Sequence, residues 1–112
     1  MLDILNCLCC KAPVNHKDYI SHFLGTDETD GRFARVSLET CRHCGVLWLV
    51  YGFEIEGISQ SGRWFRCPVT AENMQNLSAD NALSFLENSD QTYCGGSYFD
   101  GKIGQWHGKI NL

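Results

Sequence analysis

Two pairs of cysteines set two residues apart, Cys7-x2-Cys10 and Cys41-x2-Cys44, are the side chains of this sequence whose type and spacing make chemistry possible. A thiolate pair at that spacing converges on one point, because the tight turn between the sulfurs aims backbone amides at them and steadies their charge. Two such pairs supply the four soft donors that Zn²⁺ takes at tetrahedral corners. The expectation is one structural zinc ion held by Cys7, Cys10, Cys41 and Cys44. The same donors suit iron, so spacing alone gives the ligands and not the metal. Cys9 is a substitute for Cys7 or Cys10, although the two-residue spacer favours the latter two. His16, His22 and His43 are nearby imidazoles that four well-spaced thiols leave on the surface.

Gly45 follows the second pair and permits the tight backbone of a metal-binding turn. The motif Cys41-Arg42-His43-Cys44-Gly45 also falls between two stretches that read as strands. Here the sequence resembles the zinc-ribbon superfamily, whose knuckles read C-x2-C-G at the tip of a β-hairpin. The resemblance rests on the two cysteine pairs alone, and implies a metal and a fold element rather than an activity. Two features depart from the pattern. Residues 11–40 make a spacer longer than the ~15–20 residues of compact ribbons, and Lys11 stands where the first knuckle would have glycine.

Other constellations are weaker. Asp27, Glu28 and Asp30-Gly31 form an acidic loop, without the alternating oxygens and final Glu of a calcium-binding loop. Gly95-Gly96-Ser97 lacks the Lys-Ser/Thr and the helix of a phosphate loop, and reads as a turn or bulge. Cys94 and His107 lie on segments expected to pair, yet nothing orients the imidazole, and a lone cysteine is more often core packing. Cys67 reads the same way. Trp64, Tyr93, Tyr98, Phe99 and Trp106 load the C-terminal half with rings that fill a core or, where exposed, anchor a partner.

The elements that must position these residues follow from periodicity. Tyr19, Ile20, Phe23 and Leu24 stripe one side of a helix over residues 16–24, capped by Asn15 and stopped by Gly25. Ala34, Val36 and Leu38 alternate with Arg35, Ser37 and Glu39, a half-buried strand. A second strand over 46–56 places Leu47, Leu49, Tyr51, Phe53 and Ile55 on one face. Residues 59–62 turn the chain into a return strand over 63–69, with Phe65 and Cys67 on the side of Phe53 and with Arg66 among Glu54 and Glu56. Thr70 and Ser78 read as helix caps, and residues 79–88 as the main helix, with Ala82, Leu83, Phe85 and Leu86 as its apolar face. Asp100-Gly101 is a hairpin turn candidate. The expected fold is a single α+β domain over residues 1–112: a small, mainly antiparallel sheet with a knuckle hairpin, one main helix and a short N-terminal helix.

Composition narrows the function. The 112 residues carry nine basic and thirteen acidic side chains, a net charge of -4, which is a poor footprint for gripping a phosphate backbone. No Lys or Arg occurs from Cys67 through Gly101. The odd count of seven cysteines argues against a secreted disulfide framework. No basic-then-apolar leader opens the chain, and the apolar run Val46 to Tyr51 is too short to span a bilayer. These features lead to the expectation of a cytoplasmic, non-enzymatic, zinc-binding protein-interaction module with a basic partner and no membrane. One alternative is a nucleic-acid-binding ribbon using Arg32, Arg35, Arg42, Arg63 and Arg66, with Trp64 and Phe65 for stacking. Another is a thiol oxidoreductase working through the cysteine pairs.

Overall fold

The alternation over residues 34–38 and 47–53 becomes two adjacent antiparallel strands in the computed structural model, which describes residues 17, 19–28, 33–54, 59–100 and 102–110. The described elements run β1 (Tyr19–Asp27), β2 (Ala34–Cys41), β3 (Leu47–Phe53), β4 (Arg63–Val69), α1 (Ala71–Met74), α2 (Ala82–Asn88), β5 (Thr92–Gly95), a 3-10 turn (Ser97–Phe99) and β6 (Gly104–Trp106). The six strands form one antiparallel sheet in chain order. Each strand therefore meets the next through a local connection, and only the stretch holding α1 and α2 interrupts the meander.

This corrects the α+β expectation: the fold is β-rich, with one main helix, and the short N-terminal helix is a strand. The spacing of Tyr19, Ile20, Phe23 and Leu24 matches a helical stripe, but these residues bury no common stripe. Ile20 and Phe23 are 54% and 50% exposed, and Tyr19 is buried. Aromatic and β-branched side chains fit a pleated surface, and β1 pairs along β2 from Tyr19↔Cys41 to Asp27↔Ala34. The register shifts between Phe23 and Gly25, a bulge that puts an extra residue into the strand. Gly25 takes a φ of +148° there, a conformation open to glycine.

The sheet buries both faces. On the first, Ala34, Val36, Leu38, Leu49, Tyr51, Phe65, Cys67, Val69 and Cys94 pack with Ala82 and Leu86 of α2 and with Ile110. Asp27 also lies buried, its carboxylate accepting a hydrogen bond from Tyr51 Oη at 2.6 Å. On the second, Tyr19, Cys41, Val46 and Trp48 form a smaller cluster bordered by Cys44, Val50 and Tyr93. Ser37 is buried on that face, while Arg35 is exposed and Glu39 is half-buried, so β2 departs from its alternation at Ser37 and at Cys41 beside the knuckle.

The helices are short, and α1 is capped by its own side chains. Thr70 Oγ1 accepts from Asn73 N at 3.1 Å while Asn73 Oδ1 accepts from Thr70 N at 3.2 Å, a reciprocal cap on α1. The main helix begins at Ala82 rather than at residue 79, with Asn81 as its N-cap. Ser78 belongs to the turn before it, donating its backbone N–H to Asn81 Oδ1 at 2.8 Å. The closing strands pair as Thr92↔Trp106 and Cys94↔Gly104, with Asp100 at φ +57° in their connection.

Candidate metal centre

Cys41 ends β2, and residues 42–44 turn the chain towards β3. The turn closes through two backbone bonds, Gly45 N–H to the Cys41 carbonyl at 3.0 Å and Cys41 N–H to the Val46 carbonyl at 2.9 Å. His43 N–H donates to Cys41 Sγ at 3.4 Å. This is the amide-to-sulfur bond that lowers the cost of a thiolate. Gly45 sits at φ +77°, and a Cβ there would meet no atom within 4 Å. Its backbone conformation, not crowding, is what calls for glycine. The chain from Cys41 to Gly45 is thus a tight turn closed by its own backbone.

Cys41 is 1% exposed and Cys44 is half-buried, while Arg42 and His43 point to solvent. Cys41 is disulfide-bonded, and Cys44, Cys67 and Cys94 are not in disulfides. A sulfur in a disulfide has no thiolate charge to offer a metal, so the two states of Cys41 exclude one another. Cys7, Cys9, Cys10 and His16 lie outside the described residues. Among the described residues no cluster of three or more His, Cys, Asp or Glu side chains forms a metal site. Cys41 and Cys44 thus share one turn, with an amide donated to the Cys41 sulfur.

Cys67 and Cys94 lie in the core on adjacent strands. Burial pushes the Cys67 thiol up to about 12, partly offset by a hydrogen bond with the Ser89 side chain. Burial also raises Cys94, against the lowering effect of a backbone hydrogen bond from Gly104. A nucleophilic cysteine needs the opposite shift. His107 is exposed beyond β6, so the Cys94–His107 pair has neither the activated thiol nor the oriented base of a hydrolase.

The arginines separate into three settings. Arg66 is 3% exposed, with its guanidinium 4.2 Å from the Trp48 ring and 5.5 Å from that of Trp64, and it donates to Tyr19 Oη at 3.1 Å. It stands opposite Val50, not among Glu54 and Glu56 as the strand pattern predicts. Arg35 stacks on Phe23 at 4.8 Å, and Arg63 lies 4.0 Å from the Tyr98 ring and 5.1 Å from that of Phe53. Arg42 stands exposed at the knuckle, and Arg32 is outside the described residues. Phe65, expected as a stacking ring, is buried in the first core. Apart from Trp64, two residues before Arg66 on β4, the rings that hold the arginines lie one strand away or beyond a loop.

Among the described residues no helix is long and apolar enough to cross a membrane. No protein-family model, curated protein or solved structure matches this chain.

Proposed function

We propose that this chain is a cytoplasmic, non-catalytic protein-interaction module stapled by one zinc ion on Cys7, Cys10, Cys41 and Cys44. The observation that carries the reading is the turn at Cys41–Cys44, with its glycine at positive φ and its amide donated to Cys41 Sγ. In a reducing compartment the disulfide of Cys41 gives way to a thiolate, the state in which it takes a metal. The bound ion supplies a cross-link and no reaction. The partner surface is the acidic side that carries the helices, where Glu72, Asp80 and Asp90 are exposed in a stretch without Lys or Arg. Such a surface steers and holds a basic protein.

Elemental analysis of protein purified without added metal tests the staple. One zinc per chain, lost together with four protected thiols on chelation, is the expected result. A metal-free protein that cycles two thiols per chain between reduced and oxidised forms would move the assignment to a thiol oxidoreductase.

A further inference from the structure

At the end of the sheet away from the knuckle, an open groove of about 840 Å³ is lined by Phe33, Arg35, Gly52, Arg63, Trp64 and Ser97, with Phe53, Glu54, Gly62 and Gly96 completing it. We propose that this groove binds single-stranded nucleic acid, with one base seated on Trp64 over Gly52 and with Arg35 meeting a phosphate.

The register builds the seat. Arg35 pairs with Gly52, and Gly52 with Trp64, so the three residues form one row across β2, β3 and β4 and share the second face. Neighbouring strands lie roughly 4.8 Å apart, which places the Arg35 and Trp64 backbones roughly 10 Å from one another. The residue between them has no side chain. A Cβ on Gly52 would meet only the Arg35 carbonyl oxygen, at 4.0 Å, so the middle of the row is open floor. On its other side Trp64 pairs with Gly95, and its ring lies so close that a Cβ there would come within 2.4 Å of it. One glycine fixes the indole and the other leaves room beside it.

Charge complements the seat. Stacking on Phe23 occupies the face of the Arg35 guanidinium and leaves its in-plane N–H groups available, which is the geometry that phosphate oxygens need. Among the described residues the Arg35 side chain makes no hydrogen bond or ion pair, and Glu54, which also lines the groove, is not paired with it. Arg63 pairs with Phe53 and turns to the first face. Phe33, 74% exposed at the rim, offers a second platform of the kind that holds successive bases. An acidic peptide would satisfy Arg35 without using the rings of Phe33 and Trp64, whereas a nucleic-acid strand engages both. The groove stands apart from the metal reading, because none of its lining residues belongs to the knuckle.

The probe is a fluorescein-labelled ten-residue oligothymidylate titrated with the whole protein at low salt and read by anisotropy. Saturable binding is expected, with tryptophan quenching and a log–log salt slope near -0.7 for about one phosphate contact. Gly52→Val removes no charge and fills the floor of the seat at a strand position that favours a β-branched residue. It should weaken binding about tenfold or more with an unchanged or raised melting temperature, and Arg35→Gln and Phe33→Ala should weaken it several-fold. Absence of binding up to about 100 μM, in the weak range for non-specific nucleic-acid contacts, would overturn the proposal. So would undiminished binding in Gly52→Val, or equal competition by a polyglutamate peptide.

Discussion

Cys67 and Arg66 sit side by side on β4 and point to opposite faces, and the two show how far burial decides what a side chain does. Cys67 reaches the first core, fully buried, and its thiol is held up to about 12 from an ordinary 9.0. The unfolded chain releases that proton near pH 9, while the folded chain keeps it. The stability tied to the neutral thiol is therefore complete below pH 9 and declines as pH rises towards 12, by at most about 1.4 kcal/mol per pH unit. Urea unfolding at pH 7.5, 9.5 and 10.5 should show this decline in the parent and a shallower one in Cys67→Ala. Equal slopes in the two proteins would mean that Cys67 titrates alike in both states. The four spaced cysteines are visible in the sequence because a pair at two-residue spacing is a local pattern. Only part of the setting of Arg66 is visible: Trp64 stands two residues before it on the same strand, whereas Trp48 and Tyr19 come from other strands that the register brings alongside.

At the scale of elements, what was legible depended on where each element finds its stability. Strands β2, β3 and β4 bury Val36, Leu38, Leu49, Tyr51, Phe65 and Cys67 on one face, so their period of two stands in the sequence. The apolar face of α2 was legible for the same reason, through Ala82 and Leu86, although its start was misplaced by the turn bonds around Ser78 and Asn81. Strand β1 was read as a helix because it draws on backbone pairing with β2, and its exposed Ile20 and Phe23 carry no inward period. This difference is measurable. Leu86→Ala, which empties a site under α2, should cost about 2–5 kcal/mol in chemical unfolding. Phe23→Thr exchanges a half-exposed ring for a residue that favours strands, so its cost should stay below about 1 kcal/mol apart from the lost stacking with Arg35. A larger loss at Phe23 than at Leu86 would mean that β1, not the helical layer, carries the core.

The whole molecule is a sheet with unequal cores on its two sides, and the knuckle belongs to the smaller one. Cys41 packs with Tyr19, Val46 and Trp48 on the second face, whereas α2, Tyr51, Phe65 and Ile110 close the first face without touching that cluster. Structural zinc in small domains can contribute on the order of 10 kcal/mol, because such domains have little else to hold them. Here the first core offers an independent source of stability, so loss of the metal should loosen one region rather than abolish the fold. Hydrogen exchange before and after chelation under reducing conditions separates the two outcomes. Amides of the knuckle turn, such as Gly45 N–H and Cys41 N–H, should exchange at least tenfold faster, equivalent to about 1.4 kcal/mol of local stability. Amides beside Leu49, Phe65 and Leu86 should keep most of their protection. Uniform loss across both sets would show that the two faces fold as one cooperative unit, with the metal holding the whole sheet. A local response would place the groove formed by Arg35, Gly52 and Trp64 beyond the reach of the metal, and oligonucleotide binding should then survive chelation.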